Sequence, residues 1–372
     1  MAVYKIFPEK DATLYSDYPV MNTGLDEILE IGNNISVENT VRRSVIKFST
    51  AEINNVINNL FNVNSRVSQS FSASLKLYFA TGNNVPVNYD VECYPISSSW
   101  DMGTGKFEDS PENTDGVSWI YRTSNPLQTW SAGTLATNVT NSYYNIPGGG
   151  TWYYTSSQFS NIKTTQSFTY YSDNDVNIDV TDSIKAIYTG SIMNEGFILK
   201  LDDNVEFTDT EISLKYFSRD TNTIYPPQLE IKWNDFVFNT GSSSQTIVQT
   251  SQMVISILNN IGAYEPETVQ RFKINCRPQY PARIFSTSSF YTTNYYLPTS
   301  SYWSLVDLDT NEVVVDFDTT YTKVSADSTS NYFDIYMDGL EPERYYKILF
   351  KVVAGGSTQI VDNAYYFKVI NS

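Results

Sequence analysis

DATLYSDYPVMNTGLDEILEIGNNISVENTVRRSVIKF, residues 11–48, is the stretch that decides the fold. Asp11-Ala12-Thr13 opens a strand, and Asn22-Thr23-Gly24 offers a turn in which glycine can take a positive φ. A short second strand follows. Arg42 and Arg43 then start an alternating strand that ends at Phe48. Placed at a strand start, the two arginines are expected at a solvated rim, free or paired with surplus carboxylates. Strand, turn, strand and strand in so short a span predict an antiparallel β-sandwich with these residues as scaffold.

The same period-two pattern recurs on both sides of this stretch. Leu75, Leu77 and Phe79 alternate with Lys76 and Tyr78. Ile212, Leu214 and Tyr216 repeat the pattern, as do Leu229, Ile231 and Trp233. Beyond residue 270 it returns in Val313, Val315 and Phe317, in Phe333, Ile335 and Met337, and in Ile348, Phe350 and Val352. Such strands are expected to bury one face and wet the other. Helical signals are few: Ser49-Thr50-Ala51-Glu52 reads as a capping box before Ile53, Val56, Ile57 and Leu60, and Thr181–Tyr188 as a short turn of helix. Residues 251–261 fit either helix or strand.

Composition agrees. Aromatics make up 15% of the 372 residues, with 29 Tyr and 20 Phe, and only 17% are charged, so all-β is the expected class. The net charge of −17 opposes binding to nucleic acid or an anionic membrane, both of which call for clustered Lys and Arg. No apolar run is long enough to span a bilayer, and MAVYKIFPEK has no apolar signal region. The chain is therefore expected to be made in a cytoplasm and to leave it by assembly or lysis. Cys93 follows Val87, Tyr89 and Val91 at strand spacing, and Cys276 follows Phe272 and Ile274, so both thiols are expected buried and inert.

A domain boundary is expected after Trp233, giving residues 1–233, a connecting segment 234–262 that includes the polar linker Asn239–Gln245, and a second domain 263–372. Within the first domain, residues 100–166 form a long insertion rich in Gly, Ser, Thr, Asn and aromatics. Insertions of that length usually serve recognition or subunit contact.

Several dispersed pieces appear in order: Asp11-Ala12-Thr13, Asn22-Thr23-Gly24, Arg42 to Phe48, Ala73 to Tyr78, Trp100, Asp179-Val180-Thr181, Asn194 to Leu199 and Pro226 to Leu229. Together they resemble DNRLRE-type β-sandwich modules, which are related to carbohydrate-binding modules. That resemblance implies a jelly-roll-like first domain. Leu340-Glu341-Pro342-Glu343-Arg344-Tyr345-Tyr346 resembles the Leu-x-Pro-x-x-x-Tyr corner of fibronectin type III and immunoglobulin-like sandwiches. It implies that the Tyr346 hydroxyl caps backbone at a crossing between sheets. The whole chain is similar in style to virion structural proteins of tailed bacteriophages of the marine, cyanobacteria-infecting type. That likeness implies a non-enzymatic structural role in the neck, tail or baseplate, as part of a symmetric assembly with other virion proteins. Capsid decoration and host-glycan adhesion are the alternatives.

The absence of histidine rules out Ser-His-Asp and Cys-His catalysis, and no Gly-rich phosphate loop opens a helix. Neither a catalytic residue nor a cofactor is assigned. Asp173 to Asp179 alternates acidic residues with Val176 and Ile178, which reads as the solvated face of a strand more than as a Ca²⁺ loop. Tyr143, Tyr144, Trp152, Tyr153 and Tyr154, with Tyr295 and Tyr296, are the candidates for subunit or glycan contact, because their rings offer flat apolar area with a polar tip. Packing along strands is the competing reading of the same rings.

Overall fold

The computed structural model describes residues 2–34, 40–62, 70–130, 136–137, 148–153, 162–206, 211–241, 246–250, 252–280 and 294–371. Strands hold 48% of the chain and helices 8%, so the protein is an all-β sandwich fold. It divides into two units: residues 6–58 with 72–230, and residues 231–372 together with 1–5 and 59–71.

The first unit is organised by an antiparallel sheet in the order Thr164–Phe168, Tyr89–Pro95, Phe197–Leu201, Thr40–Phe48, Ile28–Asn34, Ile212–Phe217, Phe79–Asn83. Pro8–Tyr15 also pairs with Thr40–Phe48, in a register that sets Leu14 against Arg43 and Tyr15 against Arg42. In a second, smaller sheet Phe71–Leu77 pairs antiparallel with Val176–Asp179, setting Leu77 against Val176 and Leu75 against Ile178. Phe71–Leu77 alternates as predicted, with Phe71, Ala73, Leu75 and Leu77 buried. Phe79 does not continue it. The chain leaves that sheet at Tyr78, and Phe79–Asn83 pairs instead with Ile212–Phe217, where the Asp175 carboxylate accepts the Phe79 N–H at 2.7 Å. Val87, placed by parity with Tyr89, lies outside the strand and is exposed.

The helix Thr50–Asn62 begins where the capping box puts it. Ser49 Oγ accepts the Glu52 N–H at 3.4 Å, and Ile53 and Ile57 are buried. Thr181–Tyr188 is helical, whereas Met253–Ile257 within the ambiguous stretch is a strand. No described helix is long and apolar enough to cross a membrane.

In the second unit, strands Met253–Ile257, Val269–Pro278, Asn331–Tyr336 and Ser325–Ala326 form one sheet. Ala263–Tyr264, Ser357–Val369, Tyr345–Ala354, Ser301–Asp307 and Val313–Val315 form the other. Residues from both sheets share one core, the four-against-five arrangement of immunoglobulin-type sandwiches. Trp303 fills its centre, stacked on Phe333 at 5.1 Å, and Phe272 stacks on Phe333 at 5.4 Å. Cys93 and Cys276 are both free. The Tyr346 hydroxyl donates to the Glu341 carbonyl at 2.9 Å, which is the corner geometry. Leu340 is buried and Pro342 is exposed. Val313 is also exposed, whereas Val314 and Val315 of that short edge strand pack against the core.

Candidate functional site

Over most of their length the central strands of the large sheet are buried on both faces. Ile46, Phe197, Leu199 and Leu201 are buried on one side, while Ala12, Leu14, Val45 and Ile198 are buried on the other. The second side is covered by the insertion. Trp100, Val117, Trp119, Trp130 and Trp152 pack there with Leu14, Val41, Val45, Tyr94 and Ile198 as a separate hydrophobic cluster. The aromatic insertion expected to face a partner is, where described, largely the lid of a second core.

Charged side chains lie under that lid. Arg43, predicted at a solvated rim, has a fully buried side chain and pairs with Glu206 through both carboxylate oxygens, at 2.8 and 2.9 Å. Its Nη1 donates to the Gly149 carbonyl at 2.7 Å. The guanidinium lies 5.1 Å from the Trp119 ring and 5.3 Å from the Trp152 ring. Lys200, also fully buried, continues the network to Glu206 at 3.4 Å, Glu92 at 3.5 Å and Asp203 at 2.6 Å. Lys163 closes it by pairing with Glu92 at the surface. The sequence builds this from the strand end at Leu201. Asp202 starts the one-turn helix Asp203–Glu206, whose Glu206 N–H donates to the Asp202 carbonyl at 2.7 Å, and that turn presents the Glu206 carboxylate to Arg43.

Backbone brackets hold the lid in place. Asn22 is fully buried; its amide donates to the carbonyls of Met102 (2.6 Å) and Val117 (2.8 Å), and its Oδ1 accepts the Gly24 and Gly105 N–H groups. Thr23 Oγ1 bonds both the N–H and the carbonyl of Thr13. Gly24 does not take the positive φ expected of it. It is glycine because a Cβ there would stand 2.2 Å from the Met102 carbonyl oxygen. Gly149, at φ 79°, is constrained in both respects: a Cβ would meet Arg43 Nη1 at 2.6 Å and the Trp119 ring at 2.8 Å. Asp11, midway along Pro8–Tyr15, is 1% exposed and accepts the Arg219 N–H at 2.7 Å. Burial pushes its carboxyl up to about 7, against the pull of that hydrogen bond. Burial raises both thiols too, Cys276 to about 12.

The predicted contact aromatics therefore divide. Trp152 is 2% exposed and spent on Arg43 and Tyr94. Tyr296 is buried and Tyr153 and Tyr295 are half-buried, while Tyr143, Tyr144 and Tyr154 lie outside the described residues. The rings that do reach solvent are others. Tyr170 and Tyr171 are 75% and 93% exposed, edge to face at 5.2 Å, in the loop between Thr164–Phe168 and Val176–Asp179. The turn residues Ser172-Asp173-Asn174 right after them were the available signal.

A cleft of about 550 Å³ opens on the other side of the Thr40–Phe48 strand from Arg43, where Arg42 points. Glu30 sits on its floor. One Glu30 oxygen pairs with Arg42 and the other with Lys215 at 2.7 Å. Tyr15 lies beneath the Arg42 guanidinium, 5.5 Å from ring centre to Cζ. Phe107, from the insertion, forms a wall 5.0 Å from the Tyr15 ring and 5.7 Å from the Tyr18 ring, and is 41% exposed. Asp26, Glu27, Lys106 and Glu108 complete the rim. Burial raises the Asp26 carboxyl, opposed by its hydrogen bond from the Phe107 N–H. Arg42 Nε is buried without a hydrogen-bond partner among the described residues. Sequence reading did not find this cleft, because its residues come from five separated segments. Among the described residues no group of three or more Cys, Asp or Glu is placed to hold a metal ion.

No family model matches the chain, and no curated protein does. Among solved structures, a Parabacteroides merdae β-glucuronidase with glycerol in its active site aligns at 11% identity with a TM-score of 0.16, over 82% of this chain and 29% of that one. A TM-score that low carries no argument about fold or activity.

Proposed function

We propose that this chain is a non-enzymatic structural component of a tailed-bacteriophage virion, fixed to neighbouring subunits in the neck, tail or baseplate region. The observation that most favours a structural role is the closure of the large sheet on both faces, with a buried ion network under a tryptophan-lined lid. Such a core holds surface loops in fixed positions, which suits a part built to be gripped by neighbours. The exposed Tyr170–Tyr171 tip is the described feature best suited to such contact, since tyrosine is enriched at interfaces. The surplus of carboxylates keeps free subunits apart before assembly.

The test is the position and copy number of the chain in purified particles, by mass spectrometry and electron cryomicroscopy. A number matching one cyclic ring near a portal or baseplate supports the reading, and many copies over the shell support capsid decoration. Absence from particles sinks both. A Tyr170→Ser/Tyr171→Ser variant that incorporates as well as wild type would remove the tip from the contact.

A further inference from the structure

We propose that a cationic stripe on the second unit docks the acidic segment 108–115 of a second copy of this chain. The contact follows from where charge lies along the chain and holds whether or not the chain is a virion part.

The stripe is built by strand parity. In Val269–Pro278, Phe272, Ile274 and Cys276 are buried, while Arg271, Lys273, Asn275 and Arg277 are exposed on the other face. At about 3.4 Å per residue, Arg271 to Arg277 spans roughly 20 Å. Register sets Asp334 beside Arg271, Tyr332 beside Lys273 and Val254 beside Arg277. Arg271 is already matched: its Nε and Nη2 both pair with Asp334 at 2.8 Å, and it lies 4.1 Å from the Tyr332 ring centre. Lys273 and Arg277 have no carboxylate within 4.0 Å among the described residues. The Arg277 guanidinium donates to backbone carbonyls, of Pro278 at 3.2 Å and Gln279 at 3.5 Å.

The chain supplies the matching acid. The first unit holds 27 acidic and 12 basic residues, net −15, against 14 and 12, net −2, in the second. Residues 108–115 carry Glu108, Asp109, Glu112 and Asp115, all exposed, and no basic residue. Lys106, just before them, pairs with Glu27. The segment is held in shape, since Asp109 accepts the Lys106 N–H and Asp115 the Thr104 N–H, each at 2.8 Å. Stripe and segment belong to different units, so the contact is heterologous and repeats from copy to copy as a ring or filament. The −17 of each copy opposes approach, but at physiological salt that repulsion is screened beyond about 8 Å, whereas opposed patches meet at contact. Arginine, a tyrosine ring and the 38%-exposed Val254 give the stripe the mixed character of protein interfaces. A nucleic acid fits it less well, because two unmatched cations neutralise few phosphates and the first unit repels the rest.

Isotope-labelled and unlabelled full-length chains are mixed at about 0.1 mM, where a weak contact is populated, and coupled with a carbodiimide that joins Lys to Asp or Glu. Mass spectrometry is expected to find mixed-isotope links from Lys273 to residues 108–115. In sedimentation velocity, Lys273→Glu/Arg277→Glu and Glu108→Lys/Glu112→Lys should each weaken self-association at least about tenfold. An equimolar mixture of the two should restore it, because every reversed patch then meets its opposite; restoration also shows that both variants fold. A monomeric wild type, Lys273 links confined to one copy or made to other acidic segments, or a mixture that stays dissociated overturns the proposal. So does capture of a single-stranded DNA through Lys273 and Arg277 without coupling between copies. Each of these results is separate from the presence of the chain in particles.

Discussion

Replacing Arg43 by Met tests whether the buried network holds the first unit together. Four side chains, each at most 1% exposed, balance two positive charges (Arg43, Lys200) against two negative ones (Glu206, Glu92). Arg43→Met fills a similar volume but leaves one buried cation facing two buried carboxylates, and strands the Gly149 carbonyl. Breaking a buried pair from one side costs about 3–5 kcal/mol, comparable with the ~4 kcal/mol attraction of unit charges 4 Å apart at an effective dielectric of 20. That is a large part of the ~5–15 kcal/mol that holds a domain folded. Glu206→Gln should cost a similar amount. The double variant leaves Lys200 facing Glu92, balanced again, so it should be no less stable than the worse single variant, with a coupling of about 2 kcal/mol or more. Urea unfolding followed by tryptophan fluorescence reads this directly, since Trp119 and Trp152 flank the guanidinium. With an m of about 3 kcal/mol/M, the single variants should lower the midpoint by about 1–2 M. A shift below ~0.3 M for Arg43→Met, or strictly additive single effects, would refute the reasoning.

The other predictions concern single groups. Asp11, with its folded carboxyl near 7 against an ordinary 3.8, binds a proton more readily folded than unfolded. Its contribution to stability should therefore be complete below pH ~4 and fall away as pH rises to ~7, by at most about 4 kcal/mol. Asp11→Asn should flatten that slope in melts run across this window; an unchanged slope would show that Asp11 is not its source. Gly149→Ala should cost more than about 2 kcal/mol, because it adds a clash with Arg43 and Trp119 to an unfavourable φ. Gly190→Ala, at φ 73° with open space around it, should cost only about 1–2 kcal/mol, and equal losses would discount the clash. Tyr346→Phe removes the bond to the Glu341 carbonyl and should destabilise the second unit by about 1–2 kcal/mol, measured by denaturation followed at Trp303. Neither cysteine should react with a thiol reagent in the native state, because both are buried and burial disfavours the thiolate; rapid labelling before unfolding would contradict this.

Much of the fold was legible in local pattern. Alternation located Phe71–Leu77, Ile212–Phe217 and Tyr345–Ala354, the capping box located the first helix, and Leu340 to Tyr346 located the corner, because each signal depends on neighbours a few residues away. The places where pattern failed are informative. Its place at a strand start assigned Arg43 to a solvated rim, its flat ring in a polar insertion assigned Trp152 to partner contact, and parity assigned Phe79 to the same strand as Leu77.

What the sequence alone determined about this protein is its class: strands, turns and an apolar stripe on each strand follow from side-chain period and backbone preference. Tertiary structure alone decided which faces are dry. Period two says that successive residues point to opposite sides, but not what covers each side, and here the insertion returns to cover the second one. That return made Arg43 a buried ion partner, excluded a side chain at Gly24, turned Trp152 into core and left Phe107 bare at the cleft wall. Each of these depends on chain segments far apart in sequence, where short-range periodicity carries no information.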